Sequence, residues 1–284
     1  MEQNKQYETP IQRLDVRLNR NSFYIKRDDL YPISFGGNKA RKAVLFFDEM
    51  KKSAFDCVVT YGSSSSNHCR VIANIAVGKG IPCYIISPEE NYKITANSKL
   101  ISLFGAKIIY STLTEVSNTI EKTLKELKEQ GYNPFFIEGG GHGNIGTQAY
   151  VNVYEEILNY ENNENIYFDY IFHTSGTGTT QAGLVCGQII NDDNRMIVGI
   201  SNARRNPHGR QVVLNSVNSY LKSINTKPIT LENINFVDDY VLDGYGSYNK
   251  VIQKTIKEVL FQDGIPLDTT YTGKAFWGMN EYIK

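Results

Sequence analysis

Residues 56–77, DCVVTYGSSSSNHCRVIANIAV, decide the architecture. The first six are short, apolar and β-rich, as a buried strand requires, and residues 66–77 carry a helical pattern. A serine-rich turn, Gly62-Ser63-Ser64-Ser65-Ser66, joins the two. The unit then repeats. Residues 82–87 (PCYIIS), 106–110 (AKIIY) and 134–138 (PFFIE) read as strands, with helices over 93–104 and 115–130 between them. Val116, Ile120, Leu124 and Leu127 make one stripe on the last of these, and Gly105 and Gly131 sit where helix C-caps place glycine. Strands alternating with helices predict right-handed crossovers and a parallel sheet covered on both faces.

A second series follows. Strands are expected at 167–174, 196–202 and 234–242, and helices over 179–190, 210–224 and 247–261. Upstream, 24–30 (YIKRDDL) reads as a short strand leaving on a charged turn. The expected fold is α/β, with two three-layer α/β/α domains built on mostly parallel twisted sheets. Residues 51–146 form the small domain, and 1–50 with 147–284 the large one. Gly139-Gly140-Gly141-His142-Gly143 is the flexible junction. In such folds ligands sit at the carboxyl ends of strands, and in the cleft between domains where there are two.

Composition narrows the function. The 284 residues suffice for one large or two medium domains, at about 100–200 residues each. Lys+Arg and Asp+Glu are both 30, and a net charge of zero argues against a nucleic-acid or anionic-membrane partner. The start, Met1-Glu2-Gln3-Asn4-Lys5, is polar, and no apolar run is long enough to span a bilayer. Cys57, Cys69, Cys83 and Cys186 lack CxxC spacing, and His68, His142, His173 and His208 lack the spacing of a metal site. A cytoplasmic, reduced, metal-free protein is expected.

Four stretches carry chemistry. In Ser34-Phe35-Gly36-Gly37-Asn38-Lys39-Ala40-Arg41-Lys42 a glycine pair brings Lys39 onto the first turn of a helix. The positive end of the helix dipole disfavours an ammonium there and lowers its pKa, which is the state a Schiff-base lysine needs. The alternative is a solvated basic residue opening a surface helix. Ser63–66 followed by Asn67 and His68 suits a carboxylate or other small anion, or merely caps the helix. Thr174-Ser175-Gly176-Thr177-Gly178-Thr179-Thr180 follows a strand and matches a phosphate cup, with neither a Walker lysine nor GxGxxG spacing. Asp268-Thr269-Thr270-Tyr271-Thr272-Gly273-Lys274 is, alone, an ordinary turn before a helix.

Taken together and in this order, FGGNK, SNH, the glycine/threonine cup and YTGKA resemble the fold type II pyridoxal-phosphate enzymes. Within them, the chain is similar to the 1-aminocyclopropane-1-carboxylate deaminase/D-cysteine desulfhydrase family, over about Ile11 to Trp277. The resemblance implies pyridoxal 5'-phosphate as cofactor and a homodimer. It makes Lys39 the lysine that holds the cofactor as a Schiff base and then exchanges protons at the substrate Cα. Ser175, Gly176, Thr177, Gly178 and Thr179 would hold the phosphate, and Asn67 the phenolic oxygen. Ser66 would face the substrate as proton acceptor or carboxylate ligand, and Tyr245 and Tyr271 would be the active-site tyrosines. Thr272 falls where relatives place the partner of the pyridine nitrogen. Ser63, Ser65, His68 and His142 complete the expected substrate contacts.

Three departures qualify this. The deaminases carry glutamate at the Thr272 position, and a threonine implies a neutral hydrogen bond and a weaker electron sink. Relatives have Gln where this chain has Ser65. Only 13 residues follow Tyr271, fewer than the resemblance leads one to expect. The implied reaction is α,β-elimination from a small β-substituted amino acid, giving a 2-oxo acid, ammonia and the leaving group. β-Replacement and cyclopropane deamination are the alternatives within the class, and a non-catalytic sensor of a small anion is the alternative outside it.

Overall fold

The computed structural model describes residues 7–15, 21–89 and 94–284. The polar start and the first residue of the helix expected over 93–104 lie outside these. In chain order the elements are β1 (Ile11–Arg13), β2 (Tyr24–Lys26), α1 (Asn38–Lys52), β3 (Cys57–Tyr61), α2 (Asn67–Gly78), β4 (Cys83–Pro88), α3 (Ala96–Leu103), β5 (Lys107–Ser111) and α4 (Val116–Glu129). There follow β6 (Pro134–Ile137), α5 (Asn144–Glu164), β7 (Tyr170–Ser175), α6 (Thr179–Ile190), β8 (Met196–Ser201), α7 (His208–Ser223), β9 (Asn235–Val237), α8 (Lys250–Asp263) and α9 (Thr272–Tyr282). No helix among the described residues is long and apolar enough to cross a membrane.

The chain divides into two compact units, residues 1–7 with 28–146 and residues 8–27 with 147–284. In the first, a four-stranded parallel sheet has the order β5-β4-β3-β6. Alternation along the strands sorts its two faces. Val58 and Ile85 pack with Ala40, Ala43, Phe46, Phe47 and Met50 of α1 and with Val71, Ile72 and Ala76 of α2. Their neighbours Cys57, Val59, Tyr84 and Ile86 turn the other way, onto Ile120, Leu124 and Leu127 of α4. This is the expected three-layer arrangement. The stripe read on α4 is the face it buries.

The second unit holds a parallel sheet of order β7-β8-β9, with α6 and α7 as its crossovers, and the antiparallel pair β1-β2. Leu14 and Phe23 from the chain's start pack with Val259, Ile265 and Phe276. Lys26 pairs with Glu156 at 2.6 Å. At the N-terminus this division differs from the expected one. Residues 8–27 join the second unit, but α1, expected with them, gives its apolar face to the β3–β4 sheet.

There are three further differences. The strand expected over 234–242 keeps only β9, and the segment 24–30 splits into β2 and a 3-10 turn over Asp28–Leu30. The longest helix, α5, was not anticipated. It buries Tyr150, Tyr154, Glu156 and Glu161 beside Ala149, Val153 and Ile157. Glu161 takes Arg195 in a two-pronged contact, Nη1–Oε1 3.0 Å and Nη2–Oε2 2.8 Å, which ties the end of α5 to the start of β8. Asp193 adds Arg195 Nε at 2.6 Å, the Tyr154 hydroxyl at 2.5 Å and the Tyr167 hydroxyl at 2.7 Å.

Candidate active site

In the first unit the loop before α1 is wound tightly. Ser34, Phe35, Gly36 and Gly37 all have positive φ (46°, 61°, 68° and 85°). At Gly36 a Cβ would lie 2.4 Å from the Asp29 carbonyl oxygen, so only glycine fits. Asp28 pins the loop: its carbonyl oxygen accepts from Gly37 N–H at 2.6 Å, and its carboxylate accepts from Arg41 Nε at 2.9 Å. Lys39 therefore leaves the first turn of α1 at a fixed angle, and its Nζ donates to the Gly140 carbonyl oxygen at 2.9 Å. Burial lowers its pKa to about 8, leaving roughly one amine in ten neutral at pH 7. The expected depression has desolvation as its cause.

Lys42, assigned no role from the sequence, is a fully buried neighbour. It is 1% exposed, and burial together with Lys39 pushes its pKa well below the ordinary lysine value. A second lysine three residues on, in a helix whose buried face is apolar, was the available signal. His68 is 2% exposed and lies 2.8 Å, through Nε2, from Thr60 Oγ1. That hydroxyl gives its proton to the Ile137 carbonyl oxygen at 2.7 Å, so Nε2 carries the imidazole hydrogen. Burial, Lys39 and Lys42 all lower the His68 pKa, and the ring is neutral. Expected among the substrate contacts, His68 is instead enclosed beside the lysine pair. His142 is half-buried in the glycine loop that receives Lys39.

The serine turn opens α2. Ser66 is its N-cap and accepts from Cys69 N–H at 3.3 Å, while Ser63 and Ser65 share a hydrogen bond of 3.1 Å. Asn97, on the first turn of α3, donates through Nδ2 both to the Ser65 carbonyl oxygen at 2.8 Å and to Asn67 Oδ1 at 2.9 Å. With Oδ1 so engaged, Asn67 presents Nδ2 as its donor. Asn97 was missed because its partner lies 30 residues away.

In the second unit Ser175 ends β7 and Gly178 (φ 93°) caps α6, a left-handed turn that glycine makes at no steric cost. Thr179 is fully buried, and Arg204 donates through Nη1 to the Gly176 carbonyl oxygen. Ser175 Oγ and Asn202 Oδ1 are buried with no hydrogen-bond partner among the described residues. A hydroxyl left in this condition at the mouth of a helix N-terminus fits a phosphate acceptor, which supplies the missing bond and meets the helix dipole.

The Thr174 hydroxyl donates to the Tyr271 carbonyl oxygen at 3.1 Å, bringing the start of α9 beside this cup. The Tyr245 and Tyr271 hydroxyls lie 2.5 Å apart, and burial and Tyr245 hold the Tyr271 pKa far above the ordinary phenol value. Thr272 is the first residue of α9, with Oγ1 2.8 Å from Asp268 Oδ2. Lys274, fully buried, donates to the carbonyl oxygens of Asn202 (3.3 Å), Val241 (2.9 Å) and Gly244 (3.1 Å), bracing the Tyr245 loop against the cup. The expected residues thus fall into two groups, one in each unit.

The profile of the family described as pyridoxal-phosphate dependent enzyme matches residues 3–284. A putative 1-aminocyclopropane-1-carboxylate deaminase of Pyrococcus abyssi is 32% identical, covering 98% of this chain and 85% of the relative. A D-cysteine desulfhydrase of Serratia proteamaculans is 31% identical, covering 95% and 84%. The crystal structure of an ACC deaminase homologue superposes with a TM-score of 0.87 at 30% identity, covering 97% of this chain and 84% of that one. A hydrogen sulfide-producing enzyme of Fusobacterium nucleatum shares the fold at a TM-score of 0.64 and 19% identity, covering 97% and 88%. The match of the family profile over residues 3–284 shows that the chain belongs to the pyridoxal-phosphate dependent enzyme family.

Proposed function

We propose that this pyridoxal-phosphate-dependent enzyme is a lyase that cleaves a small β-substituted amino acid of the D-cysteine type. For D-cysteine, the Cα–H and Cβ–S bonds break and hydrogen sulfide leaves; one water then replaces the amino nitrogen at Cα, breaking the Cα–N bond and giving a 2-oxo acid and ammonia. The observation that carries the reading is the buried Lys39 amine, held on the Gly140 carbonyl oxygen with a pKa of about 8. When bound, the cofactor supplies an electron sink for negative charge at the substrate Cα.

Lys39 Nζ holds the cofactor, and once released takes the Cα proton. Ser175 to Thr179 bind the phosphate, Asn67 Nδ2 donates to the phenolic oxygen, and Thr272 meets the pyridine nitrogen. Ser63, Ser65 and Ser66 take the substrate carboxylate, with His142 at their margin. His68 supports the lysines from within. Tyr245 and Tyr271, as a hydrogen-bonded pair, face the leaving group. A homodimer and a cytoplasmic location belong to the same reading.

The test is turnover of D-cysteine by the purified, cofactor-loaded protein. Sulfide and 2-oxo acid released in equal amounts, and lost in Lys39→Ala, support the assignment. A loaded protein that leaves D-cysteine and other β-substituted amino acids untouched overturns it.

A further inference from the structure

The carboxylate of Asp268 gathers the start of α9. Oδ1 accepts from Thr270 N–H at 2.7 Å and Tyr271 N–H at 2.6 Å, and Oδ2 accepts from Thr272 N–H at 3.0 Å and the Thr272 hydroxyl at 2.8 Å. The Asp268 N–H also lies 2.8 Å from Thr272 Oγ1. These last two contacts fix the polarity of the hydroxyl. A backbone N–H can only donate, so Oγ1 accepts from it. A carboxylate oxygen can only accept, so the single hydroxyl proton goes to Oδ2. What Thr272 has left to offer a ligand is a lone pair.

We propose that Asp268 is a positioning residue that holds the Thr272 hydroxyl as an acceptor, so that the pyridine nitrogen of the cofactor carries a proton. It follows only if Thr272 meets that nitrogen, as assigned above. A bare nitrogen set against this lone pair is repelled. A protonated one, its proton drawn from solvent, completes a chain from ring N–H to hydroxyl to carboxylate, in which each bond polarises the next. Turning the hydroxyl to donate to the ring would exchange a charge-assisted bond for a neutral one. Threonine alone implied a neutral contact and a weak electron sink; threonine backed by Asp268 restores a strong one through one intervening oxygen.

The test uses holoenzyme loaded with pyridoxal phosphate carrying nitrogen-15 in the ring, read by NMR. Wild type is expected in the protonated, pyridinium range, with Thr272→Ser beside it. Thr272→Val, with no oxygen, is expected to shift to the neutral pyridine range. Asp268→Asn is expected to shift likewise where it folds. Its oxygen stays at Oδ1 with the Thr270 and Tyr271 N–H groups, and its amide nitrogen at Oδ2 gives up the Thr272 N–H bond, donates to Oγ1 and turns the hydroxyl proton outward. Wild type in the neutral range, or a pyridinium signal that survives Thr272→Val, overturns the proposal. Borohydride reduction and peptide mapping of the same samples separate the two levels. Label on Lys39 with an unprotonated ring sinks only the role of Asp268, whereas no label on Lys39 sinks the assignment beneath it.

Discussion

Lys39 Nζ and the Gly140 carbonyl oxygen stand 2.9 Å apart, so the glycine loop at 139–143 is the acceptor that holds the amine of α1 in place. Burial keeps that amine at a pKa of about 8. The neutral, nucleophilic fraction grows as pH rises through 8 and then saturates. The rate of cofactor loading onto apoprotein is therefore expected to climb about eightfold from pH 7 to 8.5 and level off near pH 9. Stopped-flow absorbance checks this; a rise continuing to pH 10.5 means an ordinary, solvated lysine.

Asn97 sets the orientation of Asn67. Asn97→Ala removes the donor at Asn67 Oδ1 and is expected to weaken cofactor binding by about 1 kcal/mol, roughly fivefold. Asn97→Asp is expected to cost more, since a carboxylate there attracts Nδ2 and turns Oδ1 toward the phenolic oxygen. Equilibrium titration of cofactor ranks the two. Equal losses mean that Asn97 does no more than fill space.

Tyr271 has its pKa raised by burial and by Tyr245, and so stays a neutral phenol throughout the working range. The pH–rate profile is expected to show no limb from its ionisation below pH 10. Tyr271→Phe is expected to lower kcat at least tenfold while cofactor affinity stays within twofold. Steady-state kinetics beside cofactor titration separate the two effects.

Asp193 is pulled both ways: burial raises its pKa, but hydrogen bonds from Tyr154, Tyr167 and Arg195 outweigh this and lower it from 3.8 to about 2. Its contribution is complete above about pH 5 and is lost as pH falls through 2. Melting curves of wild type and Asp193→Asn should therefore converge across that window. Curves that remain parallel mean that the carboxylate contributes nothing as a charge.

The β3–α2–β4 alternation was legible because each strand is a short apolar run closed by a turn, and because Gly105 and Gly131 do take the left-handed backbone of helix ends (φ 72° and 89°). Helix α5 was not, because its apolar positions are interspersed with buried tyrosines and glutamates, of which Tyr154 and Glu161 find their partners Asp193 and Arg195 only in a later segment. The same limit hid Asn97 and the burial of Lys42 and His68. Each depends on a partner or a cover supplied by chain folded from elsewhere. The Asp268–Thr272 pair is local, four residues apart, but its meaning lies in which atom holds one proton, and that emerges only from the distances.

The most direct measurement is borohydride trapping on protein reconstituted with pyridoxal phosphate, followed by peptide mapping. A yellow protein is expected, its reduced cofactor mapping to Lys39, with both colour and label absent from Lys39→Ala. A label on Lys42 or another lysine, or a protein that stays colourless at saturating cofactor, would contradict the Lys39 assignment.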